Sequence, residues 1–324
     1  ATSTWAAIKG REALTVEWDE SKAEKRGSAE IMAEYKRLAR EGDAVLAHSL
    51  GDVDTAFGTA ARVIEAEFEF PYLAHAALEP LDAVAWRHDD RLEVWGGHQI
   101  PDLYQAVSAE IAGLPPEQVT LHVMMTGGSF GRRAVGDADI IVEAVSTAKA
   151  IGWRAPVKVM WTREDDMTGG RYRPMYYHML KAGLDTNGNV IAWQHRIVGQ
   201  SIAKGSPFEG IVRNGVDPTS VEGATNLPYA IPNLHVDLVT TDVGVPVLWW
   251  RSVGSTHTAY AVETFIDELA EAAGRDPIEF RLAMLGDHPR HRAVLERVRD
   301  AAGWGNRPPE GVSRGVAVAE SFGS

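Results

Sequence analysis

The chain contains no cysteine. That absence removes disulfides, thiolate-ligated zinc and cysteine-ligated iron–sulfur clusters from anything these residues can build alone. No apolar run approaches the roughly 18 residues a membrane-spanning helix needs, and no signal peptide is visible. Cations are in deficit: 32 Lys and Arg face 45 Asp and Glu, a formal net charge of −13. A field of that sign opposes a general nucleic-acid or anionic-membrane surface, while leaving room for local basic pockets. No internal repeat of 20–50 residues is present, which excludes a solenoid. What remains is the composition of a globular protein, 45% apolar and 24% charged over 324 residues, enough for a substantial core.

Hydrophobic periodicity predicts an α+β architecture of mixed sheets and hairpins with flanking helices. Helices are expected over Ser28–Glu41, Pro101–Ala112, Ala138–Ala150 and Ala259–Ala273, the last closed by Gly274, with a further one from Asp276 to about Leu285. In that further helix Asp276 is the expected N-cap, with Glu279 reaching back from the third position. Alternating segments predict strands over Arg62–Phe70, Ala83–Arg87, Arg91–Trp95, Val119–Met125 and Val157–Trp161. Met175–Leu184 and Val190–Val198 form a hairpin across Asp185–Asn189. A strand-like Leu14–Trp18 follows an initial helix, and a strand-like alternation over 315–324 ends the chain. Residues 42–59 are expected to be a connector, and 200–230 a long surface excursion. Both ends fall within regular-looking elements, and the expectation is a piece of a longer polypeptide.

The most informative stretch is Gly127-Gly128-Ser129-Phe130-Gly131-Arg132-Arg133, directly after a buried-looking strand. Three glycines in five positions permit positive φ and a close approach of backbone to ligand. Successive N–H groups there make an anion nest, and two guanidiniums stand next to it to grip phosphate. The same loop satisfies the G-x-S-x-G pattern of serine hydrolases. That elbow requires a helix starting directly after the serine, whereas here the helix begins seven or more residues later. P-loop and dinucleotide-binding fingerprints are absent. A second turn, Arg251-Ser252-Val253-Gly254 after Trp249-Trp250, leads into the 259–273 helix and offers a guanidinium and the positive end of a helix dipole. His288 and His291 read as structural histidines; Glu164, Asp165 and Asp166 as a solvated turn; Asp139, Glu143 and Asp267 as polar helix faces. These residues leave two readings open, a cofactor cradle and an anion-binding or purely structural domain free of cofactor.

The order of the motifs resembles one family. Gln99 within Gly96-Gly97-His98-Gln99-Ile100-Pro101, the loop 127–133, the turn 251–254 and the run Glu263–Leu282 together resemble the molybdenum-binding large subunit of xanthine dehydrogenases and aldehyde oxidoreductases. His75-Ala-Ala-Leu-Glu79-Pro80 is similar to that family's His-Ala-Pro-Met-Glu-Pro segment. The Gly-Gly-x-Phe-Gly-Arg-Arg form, the 28–41 helix and the Arg173-Pro174 region are most similar to the β-subunit of the isoquinoline 1-oxidoreductase type.

The resemblance implies a molybdenum hydroxylase oxidising an aldehyde or N-heterocycle with water as oxygen source. It implies a molybdenum–molybdopterin cofactor, in bacterial members commonly the cytosine dinucleotide form, held by its dithiolene with no metal ligand from protein. Implied contacts are Gln99, Gly127, Gly128, Ser129, Phe130, Gly131, Arg132, Arg133, Arg251, Ser252, Val253 and Gly254, with His75 and Glu79 at the substrate pocket. Implied partners are a small subunit with two iron–sulfur clusters and, in some members, a cytochrome; the location favoured is the periplasm. Residues 1–45 correspond to the remnant of an upstream helix–strand domain plus an inserted helix. Residues 46–230 correspond to a first molybdopterin-binding region, and 231–324 to the start of a truncated second one. Ser129, Arg132 and Val253 depart from common family residues. The family's catalytic Glu, in Gly-Val-Gly-Glu, has no counterpart, since Glu320 stands in Val-Ala-Glu-Ser. No catalytic residue is assigned. This chain alone is expected to be inactive, and its hold on the cofactor in isolation is left open.

Overall fold

The computed structural model describes residues 1–324. Its strands are β1 (Val45–Leu50), β2 (Arg62–Phe70), β3 (Leu73–Ala74), β4 (Asp82–His88), β5 (Arg91–Gly96) and β6 (Val119–Val123), followed by β7 (Val157–Met160), β8 (Tyr172–Arg173), β9 (Tyr176–Leu184), β10 (Val190–Gln200) and β11 (Leu234–Thr241). Its helices are α1 (Thr4–Glu12), α2 (Ser28–Glu41), α3 (Val53–Thr59), α4 (Pro101–Ala112) and α5 (Asp139–Ala150), then α6 (Arg163–Thr168), α7 (Pro218–Val221), α8 (Ser255–Ala272), α9 (Pro277–Met284) and α10 (Pro289–Ala301). The architecture is α+β with mixed sheets, as the periodicity implies.

Five strands in the order β1-β11-β10-β9-β2 form the larger sheet, with only β10 and β11 parallel. Apolar residues alternate across it. Leu180, Ala182, Trp193 and Ile197 face α8 and α9, while Tyr177 and Val198 face the amphipathic α2. The second sheet, β6-β5-β4-β7, packs Ala83, Leu92 and Val94 against Tyr104 of α4 and Ile141 and Val145 of α5. A two-stranded ladder, β3 with β8, lies between them in the chain's path. Since β11 inserts between β1 and β10, residues on both sides of position 230 share one sheet.

Several expectations are corrected. Leu14–Trp18 forms no strand, and Leu14, Val16 and Trp18 stand exposed. Residues 315–320 are irregular, although Val316 and Val318 pack on the main core and the Val318 N–H reaches Glu263. The supposed connector 42–59 contains β1 and α3, because β1 finds its partner in β11, nearly 200 residues away, beyond the reach of local pattern. The excursion 200–230 is anchored rather than loose: Asp217 is buried, accepts from Ser201 Oγ at 2.5 Å and caps α7. Glu279 does not reach back to its N-cap but pairs with Arg299 at 3.0 Å, from the unforeseen α10.

Three imidazoles join the main sheet to α8. His178 Nδ1 lies 2.8 Å from His195 Nε2, and His178 Nε2 lies 2.9 Å from His257 Nδ1, all three rings being buried. Three neutral rings are enough to supply one proton to each of the two bonds, so no charge is needed to hold the line together. Burial lowers all three pKa values, that of His195 to about 3. Each ring thus stays neutral when folded at a pH where the unfolded chain, with its ordinary value of 6.5, begins to take up protons. The associated stability is complete above pH 6.5 and is lost as the pH falls toward the folded value. Equilibrium unfolding between pH 6 and pH 5 should lose about 1.4 kcal/mol per pH unit for each such histidine. A stability independent of pH over that window would contradict the buried neutral chain.

Candidate functional site

Four segments from different parts of the chain meet at one place. The first, 75–80, follows β3. The second, 97–99, leaves β5 for α4. The third, 127–133, follows β6, and the fourth, 249–254, enters α8. Side-chain and backbone bonds link them: His75 Nε2 lies 2.9 Å from the Trp249 carbonyl. Glu79 Oε2 accepts from the Gly127 N–H at 2.5 Å, and the Glu79 N–H donates to the Gly127 carbonyl. The Gln99 N–H donates to the Arg133 carbonyl at 3.0 Å. Arg163 buttresses the first segment by donating to the Ala77 and Leu78 carbonyls at 2.6 and 2.8 Å.

The two glycine-containing turns touch directly. Gly131 has φ +104°, and a Cβ built there would lie 2.7 Å from the Trp249 carbonyl oxygen. Phe130 and Trp250 stack beside this contact with centroids 6.1 Å apart. Positive φ recurs at Ala76, Phe130, Ser252 and Val253, four of the chain's nine non-glycine cases. Val253 is the most costly, since a β-branched residue crowds its backbone in the left-handed region. Strain held on three of the four adjoining segments marks an over-determined site.

The twin arginines do not behave as their position in the sequence suggests. Arg132 and Arg133 are 3% and 2% exposed. Arg132 pairs with Asp139 at 2.5 Å and lies over the Trp161 ring. Arg133 donates to the carbonyls of Gly128, Glu79 and Pro80 at 3.3–3.4 Å. Both guanidiniums are buried: that of Arg133 holds the loop, that of Arg132 is fixed by Asp139, and Arg132 Nε and Nη1 and Arg133 Nη1 have no acceptor in the protein. Asp139, expected on a polar helix face, is therefore a partner of a buried charge. The supposed turn 164–166 is the first turn of α6, with Asp166 buried against Arg163 at 2.9 Å. Burial lowers His98 to about 4, and the Arg133 charge adds to that effect.

What the loop leaves available is backbone. The N–H groups of Gly128, Ser129, Phe130 and Gly131 have no acceptor within the protein, although Arg132, Arg133 and Ala134 after them are all engaged. Four successive free donors on a bend whose Gly128 and Gly131 have φ of +105° and +104° form a concave cradle for an anion or a polarised oxygen. Gln99 stands exposed beside it, accepting from Ser129 Oγ while its own Nε2 has no acceptor in the chain. Arg251, in the turn that leads into α8, is exposed and unpaired. The α8 end is less open than its sequence implies: Glu222 accepts from the Gly254 N–H at 2.6 Å, a cap no local pattern announced. His75 and Glu79 likewise serve as ties between segments. The serine-hydrolase pattern fails on geometry, since Ser129 Oγ bonds to Gln99 and to the Arg133 N–H, with no imidazole or carboxylate bonded to it.

A row of unengaged N–H donors and a neutral carboxamide, with an unpaired guanidinium on the neighbouring turn, fit a large polar cofactor. The model of the molybdopterin cofactor-binding domain matches residues 38–285. The chain belongs to that family. It is 30% identical over 303 residues to the β-subunit of the isoquinoline 1-oxidoreductase of Brevundimonas diminuta, covering 90% of this chain and 38% of that protein. One subunit of the nicotinate dehydrogenase of Pseudomonas putida is 28% identical over 260 residues, with 78% of this chain and 21% of that protein covered. In fold it matches quinoline 2-oxidoreductase from Pseudomonas putida 86 with a TM-score of 0.72 at 19% identity, over 94% of this chain and 40% of that one. The chain thus spans less than half the length of these relatives.

The direct contact of the turns gives a test. Gly131→Ala would impose a side chain on a φ of +104° and drive it into the Trp249 carbonyl. The expected cost exceeds about 1 kcal/mol in chemical denaturation. A variant as stable as the parent would show that the two turns do not pack in this way.

Proposed function

We propose that this chain is part of the large subunit of a molybdenum hydroxylase that oxidises an N-heterocycle or an aldehyde, with water as the source of oxygen. The observation that carries the reading is the cradle itself: four successive free N–H groups at 128–131 beside the Gln99 carboxamide and the 249–254 turn. The names of the relatives, isoquinoline 1-oxidoreductase and nicotinate dehydrogenase, support the heterocyclic substrate class.

The cofactor fitting this donor set is molybdenum on molybdopterin, in the cytosine dinucleotide form, and when bound it supplies the two-electron oxidation. The protein's part is to hold and orient it. The 128–131 N–H groups would donate to its polar atoms, and Gln99 Nε2 would offer it a neutral hydrogen-bond donor. Arg251, exposed in the turn before α8, would supply a free positive charge for a phosphate. Phe130 and Trp250 form an apolar wall that keeps water from one side. A base able to take a proton from the attacking oxygen is not assigned to any of these 324 residues, and on this reading they do not turn over substrate alone. A small subunit carrying two iron–sulfur clusters, and in some cases a cytochrome, would take the electrons, since the chain has no cysteine to hold clusters of its own. A periplasmic location belongs to the same proposal.

The test is chemical analysis of the complete polypeptide produced with molybdate. Molybdenum and an oxidised-pterin fluorescence signal should co-purify in equal amounts, and Gly128→Val, which strains the φ of +105° and presses on the Phe130 ring so that the bend must shift, should lower both at least tenfold. A wild-type protein with neither, yet binding phosphate at the same turns, would favour a cofactor-free anion-binding domain instead.

A further inference from the structure

The loop serine is not a passive replacement for a smaller residue. Its Oγ lies in a closed hydrogen-bond ring: the Gln99 N–H donates to the Arg133 carbonyl, the Arg133 N–H donates to Ser129 Oγ at 3.1 Å, and Ser129 Oγ–H donates to Gln99 Oε1. The ring joins 97–99 to 127–133 through one exposed carboxamide. Arg133 is itself immobilised by burial and by three backbone carbonyls, so the N–H that orients the hydroxyl is rigidly placed.

A glutamine side chain can turn by 180° about its last bond and exchange its carbonyl for its amino group at little steric cost. Here the exchange is biased. The Ser129 oxygen already accepts one N–H and directs its single proton to Gln99 Oε1. A flipped carboxamide could donate to the second lone pair of Oγ, but the hydroxyl proton would then lose Gln99 Oε1, the one acceptor it has in the protein. The carbonyl is therefore held at Ser129, and Nε2 is left as the donor facing outward beside the free N–H row of 128–131.

We propose that Ser129 is a positioning residue: it selects the Gln99 rotamer in which the amino group, and not the carbonyl, is presented to the cradle. The proposal rests on the functional reading above for its purpose, but not for its test. Without the hydroxyl, Gln99 would present a carbonyl part of the time, and an anionic or oxo ligand would meet a repulsive dipole there.

The experiment uses the protein without cofactor, labelled with ¹⁵N in the glutamine side chains. Five glutamines give a spectrum simple enough to assign, with Gln99→Asn identifying the resonance. In the wild type the Gln99 amino group should relax as a rigid group. Ser129→Ala and Ser129→Gly should convert it to a mobile one, while Ser129→Thr, which keeps the hydroxyl, should restore rigidity. An amino group equally rigid in Ser129→Ala would overturn the proposal, as would one mobile in the wild type. In the loaded complete enzyme, Ser129→Ala should lower kcat roughly two- to tenfold, the worth of one ordinary hydrogen bond. KM should change little, and Ser129→Thr should recover the rate. Unchanged kcat in Ser129→Ala would overturn it too. Failure of every variant and of the wild type to take up molybdenum and pterin would overturn the functional reading alone, leaving the relaxation result to decide this one.

Discussion

The site depends on one buried guanidinium. Arg133, 2% exposed, binds the backbone of Gly128 within its own loop and of Glu79 and Pro80 from another segment. A charge withdrawn from water must be surrounded by acceptors or it costs several kcal/mol. The loop 127–131 must therefore curl back around it and the 75–80 segment must stay close. The Arg133 backbone extends the same restraint outward, its carbonyl taking the Gln99 N–H and its N–H holding Ser129. With the Gly128 carbonyl turned inward to this cation, the N–H groups of 128–131 are left on the other side. The cradle is the outer face of an arginine-binding loop.

This inversion explains which part of the site could be read from sequence and which could not. Glycines at 127, 128 and 131 announced positive φ, and two of them have it. Gln99, the 127–133 loop and the 251–254 turn suggested a shared place through their order; Gln99 bonds Ser129, and Trp249 and Trp250, just before the turn, pack on Gly131 and Phe130. The direction of a side chain is another matter. Adjacent arginines after a glycine loop look the same in sequence whether they face ligand or core, because the choice is made by Asp139 seven residues on and by carbonyls more than 50 residues back. Glu222 is invisible for the same reason, bonding Gly254 from 32 positions away.

The fold follows the same division. Ser28–Glu41 and Pro101–Ala112 form the helices expected, bounded by a capping contact of Glu30 on Gly27 and by Gly113 in the left-handed region. Their signals are local: one apolar stripe and residues suited to each end. By contrast β1 is short, largely exposed and sustained by β11, while 315–320 alternates like a strand without any ladder partner. Alternation specifies a face, not a neighbour, and a strand exists only where a neighbour offers its edge. The histidine line adds a third kind of failure. His178, His195 and His257 lie on β9, β10 and α8, and nothing near any one of them in sequence foretells the other two.

A chain of net charge −13 is an odd host for a polyanion until distance is considered. Charges separated by more than about 8 Å are largely screened at physiological salt, so the surplus of carboxylates spread over the surface acts weakly at the cradle. N–H groups act at contact, where screening has no room to operate, and they carry no counter-ion to displace. The charges of Arg132 and Arg133 are offset by Asp139, by Glu79 and by carbonyl dipoles, although three of their nitrogens have no acceptor, so the site draws little of its attraction from net charge. Arg251, on the neighbouring turn, is exposed and unpaired. Recognition built mainly from fixed dipoles demands close placement and loses affinity quickly when the bend relaxes. Positive φ at Phe130, Ser252 and Val253 is the structural cost of that placement, and it is tolerated because Arg133, Glu79 and the Gly131–Trp249 contact leave the bend no other conformation.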